Sequence, residues 1–475
     1  MNMDALLNEI IGNLYQVLPE SSLMVGAILI LMVGLLKQHE WQVRSLFFAS
    51  VVAAFYLRFY VSDTGLALAN SLHFTSFSKP FELLFLLVLG AGLIFKRTSH
   101  LPEYYFLILA MGVGSLFMAK ANSFLLIYLS VELVSFSSYI LTGFAFNQKG
   151  AEAGIKYLLF GAITSAFMLV GLGLVYGTTG SFYLTDWQMG TFEHVLPKIG
   201  LLFFIFGILF KISLLPFHIW VPATYQVAPT DAVALMSIVP KIAGLLLLRR
   251  VLTNASLMQT DWLLTLIWCL GIATMITGTF GALRQSNTRR MVSFGAIAHS
   301  GFLLPFALIN GTTGEEAFWW YAVVYAIMNL AVFFLLQAFE AKDIHRNEQY
   351  ALASRQTLMG GVMTLVMISL VGIPPLAGFT AKFFLFSALW QGFTTSASTI
   401  QLIYLLTAAG ATVASLFFYL RPAYYLFLKS ESPTSVEWRI STKIVATIFA
   451  VSLLLLFFVP KLVVLMHQLL NMSHE

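Results

Sequence analysis

The 475-residue sequence predicts an all-α, polytopic membrane protein with about fourteen transmembrane helices. Composition is the first reason: 59% of the residues are hydrophobic and 10% are charged, whereas soluble proteins carry about 25% charged residues. The second reason is that apolar runs of about 20 residues, the length that a helix needs to cross a bilayer, recur along the whole chain. Because a bilayer shapes such a chain, we expect residues 1–475 to form a single membrane domain.

The apolar runs give fourteen predicted spans in chain order. They lie near residues 18–36, 42–61, 80–96, 104–119, 122–144, 154–177, 198–217, 229–250, 262–283, 291–310, 316–339, 358–390, 400–428 and 441–466. The third span is short. The twelfth contains Pro374-Pro375, and we expect it to be broken or kinked because proline cannot donate a backbone hydrogen bond.

The basic residues predict the orientation in the membrane. Of the 26 Lys and Arg residues, most lie in loops after odd-numbered spans, fewer lie on the other side, and Lys211, Lys241 and Lys382 lie inside spans. Since cytoplasmic loops are enriched in Lys and Arg, we expect both termini on the non-cytoplasmic side. The net charge of +5 therefore reflects topology, and we expect no nucleic-acid partner.

The order of the spans predicts an internal repeat. We expect three N-terminal helices within 1–100, a first five-helix repeat over 104–252, a second over 262–428, and a C-terminal helix at 441–466. Because each repeat has an odd number of spans, the second repeat enters the membrane from the opposite face, which makes the pair inverted. No letter-by-letter repeat supports this, so the inference depends on hydropathy and on the positions of the breaks.

Each repeat has one interrupted span, and in both repeats it is the fourth. The seventh span is broken at Leu215-Pro216 and the twelfth at Pro374-Pro375. Interrupted spans at corresponding positions of two halves indicate a transport path at their interface. The sequence therefore predicts a polar path inside the membrane near these two breaks.

Glu132 and Lys211 are the first candidates for chemistry on this path. Glu132 lies near the middle of the fifth span, and Lys211 precedes Pro216 by five residues. Ionisable groups at this depth are costly and mostly face a partner or a water-filled cavity. A lysine between desolvation and a nearby carboxylate can take up or release a proton. Two alternatives stay open: a static ion pair, and a glutamate that only ties helices together through Ser135 or Ser137.

Three further ionisable residues lie in apolar surroundings. Lys241 follows Pro240 directly, and Lys382 comes seven residues after Pro375. Lys241 could relay protons towards the second half, or it could anchor its helix by reaching the headgroups. Lys382 is the candidate outlet residue. His299, in the tenth span, could change its protonation near neutral pH, or it could be a neutral buried histidine bonded to Ser300.

Glu132, Lys211 before LPFHIWVP, the segment APTDAVALMSIVPKIAG and Lys382 after GIPPLAGF together resemble the antiporter-like membrane subunits of respiratory complex I. The lysine directly after proline in PKIAG is most similar to the subunit N branch of NADH-quinone oxidoreductases. The resemblance covers about residues 100–430, and the first three helices match only in hydropathy. One loop departs from the family pattern PDVYEGAPT, because Ala223, Gln226 and Val227 replace its acidic and glycine positions. We therefore assign that loop no ionisable role.

The resemblance implies a role for each candidate residue in redox-driven proton pumping. Glu132 and Lys211 would form an input pair, Lys241 would be the central relay, Lys382 would gate the outlet, and His299 would join through water. The chain itself would bind no cofactor and no metal. NADH, FMN, iron–sulfur clusters and quinone would belong to partner subunits. The single cysteine, Cys269, agrees with the lack of a cysteine-held cluster.

The same resemblance implies partners and a location. We expect the lipid bilayer, protons, the antiporter-like subunit M and the small subunits K, J and A as partners, in a bacterial inner membrane. Three other readings remain open: a subunit of an Mrp-type cation/proton antiporter, a ferredoxin-driven photosynthetic homologue, and a scaffold whose buried charges only fix helix packing.

Overall fold

The computed structural model describes residues 12–36, 40–61, 65–95, 101–187, 192, 194–254, 257, 261–309, 311–352, 358–429 and 437–460. The end of the predicted fourteenth span, 461–466, lies outside these ranges. The same is true of five basic residues that entered the orientation prediction: Lys37, Lys96, Arg97, Arg355 and Lys461.

The described residues are almost entirely helical. The helices are α1 Leu18–Leu35, α2 Glu40–Leu57, α3 Ser78–Ala91, α4 Pro102–Lys120, α5 Phe124–Gly143, α6 Gln148–Thr179, α7 Val195–Ile212, α8 Trp220–Val227, α9 Thr230–Asn254, α10 Asp261–Leu283, α11 Thr288–Leu303, α12 Pro305–Leu308, α13 Thr312–Glu340, α14 Leu358–Val371, α15 Ala377–Ser396, α16 Thr399–Tyr419, α17 Arg421–Phe427 and α18 Ile440–Phe458. Two short strands, β1 Gly65–Ala67 and β2 Leu72–Phe74, pair as an antiparallel hairpin between α2 and α3.

Twelve helical segments within the described residues are long and apolar enough to cross a membrane. The other two predicted spans are the short helix α3, with 14 residues, and the interrupted span formed by α14 and α15. The most buried span is α9, of which the whole apolar window lies inside the protein. The prediction of an all-α polytopic membrane protein with broken seventh and twelfth spans is therefore confirmed.

The two breaks have the same backbone pattern. Helix α7 ends at Ile212, and Ser213 then adopts φ +61°. Helix α14 ends at Val371, and Gly372 follows with φ +89°. A cis X-Pro bond comes three residues after each of these positions, at Pro216 and at Pro375. Both helices thus terminate at a left-handed residue, which ends regular i→i−4 bonding within the membrane.

We call the membrane face at which α1 begins the N-terminal face; the ends of α2, α4 and α9 lie there as well. At this face Lys120 pairs with Glu20 at 2.6 Å and with Glu82 at 3.3 Å, and Arg58 pairs with Glu82 at 2.9 Å. All four residues are buried completely. We call them the N-terminal ion network. The β-hairpin closes over it, because the ring of Phe74 lies 5.0 Å from the Lys120 ammonium.

This network changes the interpretation of two residues. Arg58 and Lys120 entered the orientation prediction as cations at span ends, but the structure buries both of them beside carboxylates of α1 and α3. The first three helices are thus joined to α4 by charge as well as by apolar packing.

Candidate functional site

Glu132 lies on the outward stripe of α5. Its neighbours one turn away, Leu129 and Phe136, are 52% and 53% exposed, and residues three and four apart on a helix share one face. The Glu132 side chain is itself only half-buried. Its Oε1 atom is shielded from solvent, however, and has no hydrogen-bond partner among the described residues. The carboxylate is therefore positioned to receive a donor from water or from another chain.

Lys211 lies in the last turn of α7, immediately before the first break. It is 3% exposed, and its Nζ has no hydrogen-bond partner in the described part of the chain. Nζ lies 5.6 Å from the ring centroid of Tyr139 and 5.7 Å from that of Phe210. The two predicted partners do not touch, although Glu132 is near enough to attract the ammonium through space.

The predicted input pair is therefore separated, with an unused acceptor at one end and an unused donor at the other. A buried polar atom without a partner is costly, so ordered water between such groups is the usual resolution. Aromatic side chains lie at the Lys211 end: Tyr139, whose ring centroid is 5.6 Å from Nζ, packs against Tyr157 at 4.6 Å, and Tyr157 stacks on Trp220 at 4.0 Å. The Trp220 indole donates to the carbonyl of Phe210 at 3.3 Å and so fastens α8 to the end of α7.

Lys241 lies at the centre of α9. Its Nζ donates to the carbonyl oxygen of Ala296 on α11 at 2.6 Å. Pro240 leaves the carbonyl of Met236 without a helical donor, and the hydroxyl of Tyr225 donates to that carbonyl at 3.4 Å. Lys241 therefore points across the boundary between the two predicted repeats. The buried contact with α11 does not match a lysine that reaches for headgroups.

His299 lies on α11, three residues after the carbonyl that accepts from Lys241. Its Nδ1 is 3.0 Å from the hydroxyl of Tyr321, and its ring lies beside Tyr325 at 5.4 Å. Lys241 and Lys382 are both within electrostatic range of the imidazole. Ser300, the alternative partner of the histidine, donates instead to the Ala296 carbonyl at 3.3 Å.

Lys382 lies on α15, after the second break, and its Nζ reaches back to the end of α14. It donates to the carbonyls of Val371 at 2.7 Å and Leu370 at 3.3 Å. The same ammonium lies 4.6 Å from the ring centroid of Phe302 on α11. The negative end of a helix dipole thus provides the counter-charge here.

The arrangement forms a sequence of ionisable groups through the middle of the bundle. Glu132 and Lys211 belong to the first half, Lys241 crosses to α11, and His299 and Lys382 belong to the second half. Every cation in this series contacts aromatic rings or backbone carbonyls, and no carboxylate of the described residues lies within ion-pair distance of any of them. Groups of this kind can hold and pass protons. No cluster of His, Cys, Asp or Glu that could hold a metal occurs within the described residues.

Several participants could not be identified from sequence. Tyr321 and Tyr325 lie in an apolar aromatic run, and nothing in their spacing distinguishes them from ordinary core residues. The carbonyls of Ala296, Leu370 and Val371 have no sequence signal of their own. The only usable signal was the pair of prolines near the twelfth-span break, which predicts free carbonyls in that neighbourhood.

The chain is similar to known membrane proteins over most of its length. The family profile described as "NADH:quinone oxidoreductase/Mrp antiporter, TM" matches residues 121–411, which include all five candidate residues. A Trichlorobacter lovleyi protein named NADH-quinone oxidoreductase subunit N is 35% identical over 401 residues, covering 81% of this chain and 80% of that protein.

Two solved structures have the same fold. A chain of respiratory complex I from Thermus thermophilus with bound aureothin aligns with a TM-score of 0.78 at 26% identity, covering 94% of this chain and 98% of that one. A chain of the Mrp complex from Dietzia sp. DQ12-45-1b aligns with a TM-score of 0.78 at 17% identity, covering 95% and 97%. The second likeness concerns the fold alone.

Proposed function

This chain belongs to the family of membrane subunits that NADH:quinone oxidoreductases and Mrp antiporters share, and we propose that it is the N-type, proton-translocating subunit of an NADH:quinone oxidoreductase. One observation carries the proposal: Glu132 attracts the Lys211 ammonium through space, yet each residue has a buried polar atom without a partner among the described residues. A scaffold would pair such charges directly, whereas a relay needs them free to exchange protons through water.

In this proposal each residue acts through its neighbours. A charge that arrives at Glu132 from an adjoining subunit strengthens or weakens the hold on the Lys211 proton. Lys241 transmits the resulting change in charge to α11, where the His299–Tyr321 pair connects it to Lys382. Lys382 then exchanges its proton at the second break. NADH, FMN, iron–sulfur clusters and quinone act on partner subunits, and this chain supplies the electrostatic step.

The test replaces Glu132 or Lys211 by alanine in the complete complex. We expect NADH-driven proton uptake by inverted membrane vesicles and the quinone reductase rate to fall at least about tenfold, as is typical when a proton-transfer group is lost. Assembly, followed on native gels, should survive. The matched control is the exposed Glu152–Lys156 pair on α6, where alanine should leave both rates unchanged. Full pumping in both relay variants contradicts their roles.

An Mrp-type cation/proton antiporter subunit is the second candidate, because the matching family profile includes both groups. The 35% identity to a protein named subunit N favours the oxidoreductase. The same vesicles separate the two: an antiporter responds to a sodium pulse without NADH, and a redox-driven pump does not. Genes for NADH-binding subunits beside this gene support the pump, and a run of small antiporter genes supports the exchanger.

The position of Glu132 also supports lateral partners. Since the carboxylate lies on an outward stripe with Leu129 and Phe136 exposed, we propose that an adjoining membrane subunit covers this face; subunits M, K, J and A are the candidates. Cysteines placed at 129 or 136 should crosslink to a neighbouring subunit in the assembled complex. Crosslinking only to lipid-soluble reagents would reject this placement.

We further propose a bacterial inner membrane location with both termini on the non-cytoplasmic side. The support is the excess of Lys and Arg in the loops after odd-numbered spans. Alkaline phosphatase fused after residue 475 should be active, and green fluorescent protein fused there should stay dark. The reverse pattern contradicts the orientation.

A further inference from the structure

Arg250 is a buried arginine that contacts no carboxylate among the residues that the structure describes. It lies near the end of α9 at the N-terminal face and is 7% exposed. Its single hydrogen bond within the described residues runs from one terminal nitrogen to the carbonyl of His73 at 2.6 Å. A guanidinium has five N–H donors, and a buried charge is costly unless it is paired. Most of the binding capacity of Arg250 is therefore unused.

Arg249, the preceding residue, is equally buried but has its hydrogen-bond partners within the chain. Arg249 is also 7% exposed, but it donates to the carbonyls of Phe306 at 3.1 Å and Ile309 at 2.8 Å. It also contacts the carboxylate of Glu315 at 2.8 Å. Arg249 and Glu315 cancel in charge, whereas Arg250 has no equivalent partner in the described ranges.

The nearby charges do not neutralise Arg250 either. Glu82 attracts it through space, but that carboxylate is already contacted by Arg58 and Lys120. The N-terminal ion network contains two acids and two bases and is neutral by itself. Burial, together with repulsion by the Arg250 guanidinium, holds the pKa of His73 below its ordinary value, so that ring is uncharged at neutral pH.

Arg250 lines a cavity of about 220 Å³. The hydroxyl-bearing residues Thr75, Ser78 and Thr253 form part of the wall, and Leu246 adds an apolar surface. Arg249 and Glu315 line the cavity as well, but they are paired with each other at 2.8 Å, so Arg250 is the lining cation without a contacting carboxylate among the described residues. The Thr75 hydroxyl donates to no acceptor in the described part of the chain. The cavity is smaller than the roughly 300–1,000 Å³ of pockets that enclose drug-sized ligands, and its free cation and hydroxyl group match a small oxyanion.

We propose that this cavity binds a phosphate group, with the Arg250 guanidinium as its principal contact and the Thr75 hydroxyl as a second donor. Planar guanidinium groups bind phosphate oxygens through paired N–H bonds. Arg250 lies four residues before the end of α9, about 6 Å along the helix axis, which is near the depth of lipid headgroup phosphates. The bound phosphate group can therefore belong to an anionic phospholipid or to free phosphate.

The site is separate from the proposed proton path. Arg250 lies nine positions after Lys241 on α9, which is about 13 Å along the helix. Loss of phosphate binding and loss of proton pumping can thus be measured independently.

The test uses the purified, assembled complex washed extensively in detergent. Phosphatidylglycerol that stays bound is counted by mass spectrometry, and inorganic phosphate binding is measured by equilibrium dialysis with radiolabelled phosphate. Wild type should retain one phosphatidylglycerol more per complex than Arg250→Gln if the source is lipid. It should bind labelled phosphate about tenfold more tightly than the variant if the source is free phosphate, as expected for a charge-assisted bond.

Two further variants keep the result interpretable if Arg250→Gln assembles poorly. Arg250→Lys keeps the charge but loses the paired donors, and Thr75→Val removes only the hydroxyl; both should bind more weakly than wild type. Arg421→Gln is the matched control, because Arg421 donates to the carbonyls of Gln285 and Leu283 at the opposite face, and phosphate binding should not change. Equal lipid retention and equal phosphate binding in wild type, Arg250→Lys and Thr75→Val overturn the proposal.

Discussion

Two groups of buried charges in this chain differ in whether their cations contact a carboxylate. In the N-terminal ion network, every cation touches a carboxylate: Arg58 contacts Glu82 at 2.9 Å, and Lys120 contacts Glu20 at 2.6 Å. In the proposed relay, Lys211, Lys241 and Lys382 contact no carboxylate among the described residues. Lys211 has no hydrogen-bond partner among the described residues, and the other two lysines donate only to backbone carbonyls.

The difference indicates what each group is for. A buried ion pair with direct contacts fixes two helices in one register, and removing either partner leaves the other charge buried without a counter-ion. An ammonium that faces water, rings or carbonyls can lose its proton without stranding a carboxylate. Burial alone therefore does not distinguish the two groups, whereas a contacting carboxylate is present in the network and absent, among the described residues, from the proposed relay.

The largest expected effect tests the network. Glu82→Gln keeps the shape of the side chain but removes the charge that Arg58 and Lys120 share. Two cations then remain completely buried with only Glu20 between them, so we expect the chain to lose about 3–5 kcal/mol of stability. The measurement is thermal denaturation of the purified complex, together with the yield of assembled complex on native gels.

The matched variant is Glu132→Gln. Because Glu132 has no direct cationic partner, its neutral form should assemble normally and denature at the wild-type temperature, while pumping fails. If Glu132→Gln denatures at a lower temperature than Glu82→Gln, the distinction between the two groups of charges is wrong.

Much of the fold could be predicted from sequence, and the residues of the proposed relay could be selected from it, because the signals are local. Apolar runs of bilayer length locate the spans, and Pro216 and Pro375 locate the breaks. A charged residue inside an apolar run stands out by itself, and this is why Glu132, Lys211 and Lys382 could be selected without coordinates.

The remaining features depend on which helices are neighbours, and a single sequence does not contain that information. Arg58 and Lys120 look like ordinary cations at span ends, because the carboxylates that bury them come from α1 and α3. The separation of Glu132 from Lys211 depends on side-chain direction, since Glu132 points outward while Lys211 lies inside. Backbone carbonyls as partners of Lys241 and Lys382 are invisible at the level of residue types.

The next effect compares the two broken spans. Lys382→Met leaves the carbonyls of Leu370 and Val371 without their donor, which should cost about 1–3 kcal/mol. Lys211→Met removes a buried charge that has no such partner, so stability should stay the same or rise. Proton uptake by vesicles should be lost in both variants, and only Lys382→Met should lower the denaturation temperature. Equal destabilisation would mean that Lys211 has a partner that the geometry does not show.

A smaller effect tests the backbone of the breaks. Gly372 has φ +89°, and a Cβ there would lie 2.8 Å from Cδ of Lys382. Gly372→Ala should therefore cost about 1–2 kcal/mol from the left-handed conformation and displace the ammonium from its carbonyls. Ser213 has φ +61° with a side chain already present, so Ser213→Gly should be neutral or slightly stabilising. The denaturation temperature and the rate of proton uptake by vesicles should both fall in Gly372→Ala, and neither should fall in Ser213→Gly.

The smallest effect concerns two tyrosine hydroxyls beside the relay. The hydroxyl of Tyr321 is bonded to Nδ1 of His299 at 3.0 Å, whereas the buried hydroxyl of Tyr139 has no partner among the described residues. Tyr321→Phe should cost about 1 kcal/mol through the lost bond, and Tyr139→Phe should leave stability unchanged or raise it, because an unsatisfied polar atom is removed. If Tyr139→Phe nevertheless lowers proton uptake with no change in denaturation temperature, the Tyr139 hydroxyl holds water for the Lys211 ammonium. If Tyr139→Phe is instead less stable than Tyr321→Phe, the Tyr139 hydroxyl makes a structural hydrogen bond. The first half of the proposed relay would then be as closely paired as the N-terminal ion network.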